Sequence, residues 1–231
     1  MNSLALRQER NFFAQELKMN KNNLTQSCLR ADTVLNSGSG FDFNFSATKN
    51  TANPSEMLLE QNDAFIVTAI GLTIKKLNSA TASALNALHC VALDYNYVNK
   101  TTGIFDGTND ANIQAIFNGK LGILIDNVFI FPSIPARVFQ RVPTSQQGQV
   151  NAAIAGPSTY TQPRDGFENA MFGYYFVEPF VLKGDGKNYA QIDTGESYTY
   201  SEANETNFAT CLFIGYLAQN ENSVGLAAGR F

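Results

Sequence analysis

Residues 121–139 read LGILIDNVFIFPSIPARVF, and no other segment restricts the fold as much. Leu121, Ile123 and Ile125 alternate up to Asp126-Asn127. That dipeptide tolerates the positive φ values of a two-residue turn, so Val128–Phe131 are predicted to return as the second strand of a hairpin. Pro132 and Pro135 have no amide to give a sheet ladder and are expected to end regular pairing. A membrane-spanning helix would need about 18 uninterrupted apolar residues, a run broken here by Asp126, Asn127 and the prolines. The apolar surface therefore belongs against the chain's own core or against another copy. Phe129 and Phe131, two apart on the return strand, are predicted to share one face and are candidate subunit contacts.

The same period of two recurs along the chain. In FDFNFS, Phe41, Phe43 and Phe45 alternate with Asp42, Asn44 and Ser46, the pattern of a half-buried strand. The segment EMLLEQNDAFIVTAIGLTIKKL, 56–77, is apolar on both faces, which predicts a central strand covered on each side. ARVFQRVP at 136–143 reads as a further short strand, followed by a long polar loop at 144–166 that contains Gln146 and Tyr160. A loop of that length in a compact domain is commonly functional, which makes Gln146 and Tyr160 contact candidates. Strands are then predicted at 170–177, 179–183, 188–193 and 208–218, with turns at Gly184-Asp185-Gly186 and Gly195-Glu196. Between 78 and 112 the pattern predicts a short helix around Ser83–Leu88, a strand Cys90–Tyr97, and a loop capping a helix over about 110–117 that Asn118-Gly119 stops.

Residues 3–35 differ in texture. Leu6, Phe13 and Leu17 fall near helical spacing, with Arg10, Gln15 and Lys18 between them, which predicts an amphipathic helix over about 4–18. NSGSG at 36–40 reads as a flexible joint. The expected organisation is an N-terminal helical arm and joint, 1–38, and a single β-domain, 39–231. Leu6, Phe13 and Leu17 then either dock on a neighbour or pack back on their own domain. Many short strands separated by Gly, Pro and Asn, with only brief helices, predict a mainly β fold: an antiparallel β-sandwich or jelly-roll barrel with the helical arm and one or two short helices.

Composition narrows the functional classes. Only 16% of the 231 residues are charged, against about a quarter in an ordinary soluble domain, and Asn, Thr, Ser, Gln and Gly take their place. A neutral, hydrogen-bonding surface suits an assembling protein, because charge is depleted from the centres of interfaces. A net charge of −4 and a pI near 5.0 argue against a dedicated nucleic-acid binder. Arg7, Glu9 and Arg10 interrupt the apolar run that a secretory signal would require. Cys28, Cys90 and Cys211 are odd in number and lack a CxxC pair, which favours buried free thiols over a disulfide scaffold.

Catalytic and metal signals are sparse. His89 is the single histidine, and on a strand it would point away from its neighbour Cys90, which argues against a Cys–His dyad. FDGTNDAN at 105–112 is oxygen-rich but lacks the alternating ligands and distal glutamate of an EF-hand, so Asp106, Asn109 and Asp110 read first as a turn and helix cap. KGDGK at 183–187 lacks P-loop spacing and reads as a hairpin turn. No carboxylate pair can be nominated for sugar hydrolysis, and the 18 Phe and 9 Tyr come without a Trp to build a glycan platform. The expectation is a non-enzymatic protein without cofactor or metal.

Three segments together resemble the jelly-roll structural proteins of bacterial viruses: EMLLEQNDAFIVTAIGLTI at 56–74, FNGKLGILIDNVFIFPSIPARVFQRVPTSQQ at 117–147 and FVEPFVLKGDGKNYAQI at 176–192. The second leads from a helix ending in Asn-Gly into a hairpin and a Pro-bounded strand, and the third turns a Pro-entered strand through Gly-Asp-Gly. The resemblance implies a capsid or capsid-associated subunit of a phage virion, made in the host cytoplasm, whose partners are other copies of itself and other virion proteins. It implies neither specific nucleic-acid binding nor a transmembrane segment. The chain is too short for the two full barrels of a double-jelly-roll shell protein. A receptor- or glycan-binding β-sandwich, with 95–112 and 144–166 as contact loops, is the alternative.

Overall fold

The computed structural model describes residues 3–16, 23–46, 56–77, 91–93, 112, 115–140, 175–199, 206–220 and 229–230. It is mainly β, with a helix, α1 (Ser3–Glu16), ahead of the strands β1 (Leu24–Val34), β2 (Gly38–Asn44), β3 (Ala64–Leu77), β4 (Val91–Leu93), β5 (Lys120–Ile125) and β6 (Val128–Pro135). A 3-10 turn, Ala136–Phe139, precedes β7 (Tyr175–Lys183), β8 (Asn188–Tyr198), β9 (Thr206–Ala218) and β10 (Gly229–Arg230). Residues 115–118 are helical and stop at Gly119, whose amide donates to Ala115 O at 2.9 Å.

The strands form two antiparallel sheets. One runs β1-β9-β3-β7-β10, with β4 also paired to β3; the other runs β2-β8-β5-β6. Their pairing is nested: β5 with β6 across the tight turn, then β3 with β7, β2 with β8 and β1 with β9. The chain thus behaves as one long hairpin centred on the β5–β6 turn, whose successive rungs fall alternately in the two sheets. Two short turns, Asp126-Asn127 and 184–187, collect at one end of the sandwich together with the approach to β3, where Asp63 O accepts from Gly184 N at 2.8 Å. The long connections 78–119 and 136–174 leave from the other end, along with 35–37 and 199–205.

Between the sheets lies the main core. β3 contributes Phe65, Val67, Ile70, Leu72 and Ile74, and β9 contributes Phe213; from the opposite sheet come Phe43, Leu121, Ile123, Ala190 and Ile192. Phe45 stacks on Phe213 with ring centroids 4.2 Å apart, joining the two layers. The phase of β3 slips between Val67 and Ala69, where its register against both neighbours shifts. That bulge turns odd-numbered positions inward before it and even-numbered positions inward after it, which is why both faces of the sequence are apolar. Gly215 is required beside it, since a Cβ there would stand 1.8 Å from Ile66 O.

A second, smaller cluster lies on the outer face of the β3 sheet. Phe13 and Ala14 of α1 pack on Leu24, Ala64, Ile66, Val181, Tyr216 and Ala218. The helix therefore packs back on its own chain. The stretch read as arm and joint contains β1, which pairs with β9 at eleven successive positions, so 1–38 is not separate from the sheet. Its alternation is masked because the outward positions Arg30 and Asp32 are polar yet enclosed: Asp32 is 6% exposed, is held by Arg30 at 2.9 Å, and accepts from Thr210 Oγ1.

Three local expectations are corrected. Residues 136–139 form a 3-10 turn rather than a strand, because Ala136 and Phe139, three apart, both enter the core and Gln140 N closes on Arg137 O at 3.2 Å. Pro132 does not end β6, which runs to Pro135; the strand is at a sheet edge and its register shifts between the partners of Leu121 and Ile123, so a missing amide is tolerated there. Pro179 likewise lies inside a single strand, β7, at the position of the β3 bulge, where two strands had been expected. The expected helix at 83–88 and the loop 144–166 lie outside the described residues.

Candidate contact surfaces

Among the described residues, four large apolar side chains reach the surface: Val128 (65% exposed), Phe12 (54%), Phe129 (51%) and Met57 (49%). Two of them are adjacent, and their position follows from the turn that precedes them. Asp126 and Asn127 hold φ values of 49° and 65°, the left-handed pair that a two-residue hairpin turn demands. The turn is fixed from outside as well: Asp126 N donates to Lys187 O, and Lys187 N to Asp126 Oδ1, both at 2.9 Å. Val128 then pairs with Ile125 and Phe129 with Leu124 at the tip of an edge strand, beyond the reach of the sandwich interior.

Alternation fails immediately afterwards. Phe129 stands opposite Leu124 but Phe131 stands opposite Ile123, because Ile130 is an extra residue in β6. Ile130 packs against the main core.

The remaining candidates divide by location. Phe13 is 2% exposed, in a tilted ring contact with Tyr216 at 5.6 Å, so it is engaged within the chain and is not a free contact residue. Leu6 lies on α1, while Leu17, Gln146 and Tyr160 are outside the described residues. Sequence reasoning missed Val128, Phe12 and Met57. Val128 carried a readable signal, since the first residue after a two-residue turn at an edge has no neighbour to bury it.

The edges of the larger sheet are covered. Arg30 and Met57 exchange both backbone hydrogen bonds, at 2.8 and 2.9 Å, laying residues 56–57 along β1. Glu56 Oε1 adds an acceptor for Asp32 N at 2.8 Å, so Glu56, Arg30, Asp32 and Thr210 form one polar clamp. Breaking a buried pair of this kind is costly, and its evident role is to close the sandwich side. At the far edge of that sheet, β10 covers β7 at Val181 and Phe180.

Burial pushes the Cys211 thiol well above the ordinary cysteine range, leaving it inert. Cys28 is half-buried, with Sγ 3.7 Å from Met57 Sδ. Among the described residues no three His, Cys, Asp or Glu side chains gather for a metal, and no helix is long and apolar enough to cross a membrane. His89 and Cys90 lie outside the described residues. Of the 105–112 stretch, Asn112 is described, and its Nδ2 donates to Thr199 O at 2.6 Å. KGDGK forms the β7–β8 turn, but β7 and β8 lie in different sheets, so it carries the chain from one sheet to the other rather than closing the hairpin that was expected.

No family model, curated protein or solved structure matches the chain.

Proposed function

We propose that this protein is a structural subunit of a bacterial virus particle, a capsid or capsid-associated protein that associates with copies of itself. The observation that carries the reading is the nested strand order, β1-β9-β3-β7 over β2-β8-β5-β6, which supports a jelly roll, an architecture used in viral shells. Lectin domains use it too, so the fold alone does not select the function. The adjacent, exposed Val128 and Phe129 at the hairpin tip favour association, since neighbouring apolar side chains in water gain by being covered. The low charge density of the chain points the same way. On this reading the protein acts by assembly and requires no catalytic step.

The test is association of the purified chain. Sedimentation velocity is expected to show concentration-dependent oligomers, and Phe129→Asp to shift them toward monomer at unchanged thermal stability. A strictly monomeric species at high concentration, with no particle-like assembly in negative stain, would overturn the proposal. A glycan array with reproducible, competable binding would instead favour the receptor- or glycan-binding alternative, for which the end carrying the long connections is the natural contact surface.

A further inference from the structure

Two turns and the end of β2 meet around Asn188 at the short-turn end of the sandwich. Asn188 is fully buried, at 0% exposure. Its backbone N donates to Ser46 Oγ at 2.9 Å and its O accepts from Phe45 N at 3.0 Å. Its Nδ2 donates to Lys183 O at 2.7 Å and Gly186 O at 3.3 Å, which fixes the amide's orientation, because both partners are carbonyls. The consequence falls on the other atom: Asn188 Oδ1 has no hydrogen-bond partner.

The surroundings of that oxygen are unusual. A Cβ built on Gly186 would stand 3.5 Å from Asn188 Oδ1, 3.6 Å from Asp126 Oδ1 and 3.2 Å from Lys183 O. The three nearest atoms are all acceptors, and Lys183 O already receives Asn188 Nδ2 and, at 3.0 Å, Gly186 N. A carboxylate and an unpaired amide oxygen thus border one small space that glycine leaves open. Among the described residues the ion pair found is Arg30–Asp32, and neither Lys183 nor Lys187 pairs with Asp126. A buried acceptor without a donor is unfavourable, and a carboxylate beside it adds repulsion.

We propose that this space binds a hard cation, calcium, with Asn188 Oδ1 and the Asp126 carboxylate as protein ligands and water completing the shell. An oxygen-only donor set mixing carboxylate with neutral amide suits calcium, whose coordination is flexible. A single carboxylate sets the affinity in the millimolar range, as in weak extracellular calcium modules. Bound there, the ion ties the β5–β6 turn to the β7–β8 turn. The proposal is independent of the assembly reading.

Thermal unfolding of the full chain tests it, in about 10 mM CaCl2 against chelator with NaCl at matched ionic strength. At roughly ten times a millimolar Kd, Tm is expected to rise by about 3–5 °C. Asp126→Asn keeps an acceptor for Lys187 N–H and tolerates the positive φ, yet removes the charge, and is expected to abolish the rise. Gly186→Ala puts a methyl group into the space at ordinary φ and is expected to do the same. Should either variant fail to fold, the other decides. No rise in the wild-type chain means that water satisfies Asn188 Oδ1, and overturns the proposal; an equal rise in a folded variant places the ion elsewhere and also overturns it.

Discussion

At the residue scale, one hydroxyl holds α1 to the sheet. Tyr216 OH donates to Glu9 Oε2 at 2.8 Å, beneath the Phe13 ring. Burial first, then the hydrogen bond and the negative charge of Glu9, push the Tyr216 phenol upward from its ordinary value, against a smaller opposing effect of Arg10. Below the ordinary tyrosine value of about 10, both folded and unfolded chains keep the proton and the contact contributes fully. As pH climbs past 10, the unfolded chain releases its proton while the folded chain retains it, so stability falls with rising pH. Urea unfolding of the wild type and Tyr216→Phe, followed from pH 8 to 11.5, should show the wild type's advantage shrinking above about pH 10. A constant difference between the two would show that Tyr216 acts by packing alone.

At the scale of elements, α1 and β1 adjoin in sequence but differ in what they hold. α1 adds Phe13 and Ala14 to the smaller cluster, and burial of one large side chain stabilises by roughly 1.5–3 kcal/mol. β1 pairs with β9 along eleven positions and places Leu29 and Ala31 in the main core. Deleting residues 1–16 is expected to leave a cooperative sandwich, weaker by about 2–4 kcal/mol, with a new apolar patch around Ile66 and Val181 that binds a hydrophobic dye. Deleting 1–35 removes a strand and should abolish cooperative unfolding in circular dichroism. The helix was legible because Phe13 falls on a 3.6-residue period. β1 was not, since in LTQSCLRADTV the enclosed polar pair Arg30 and Asp32 replaces the apolar residues that would have marked one face.

At the scale of the molecule, stability should be graded by position in the sheets. β3 lies between β9 and β7, and all its positions from Ala64 to Ile74 are buried. Its amides and those of β9 are expected to exchange with solvent by global unfolding alone, whereas α1 and the β6 edge open locally and exchange first; hydrogen exchange under native conditions would resolve the two classes. If β6 were as protected as β3, its tip would be covered rather than free. The sequence by itself determined the β class, the Asp126-Asn127 turn, the burial of β3 on both faces and the stop at Asn118-Gly119, because each is written in neighbouring residues as a side-chain period or a φ preference. Tertiary structure alone decided the membership of β1 in the sheet, the loss of alternation at Ile130, the enclosure of Phe13, and the joining of the β5–β6 and β7–β8 turns through Asp126 and Lys187. These depend on partners up to about 200 residues away, such as Phe13 with Tyr216 and Leu24 with Ala218, and no local pattern encodes which distant strand supplies the next hydrogen bond.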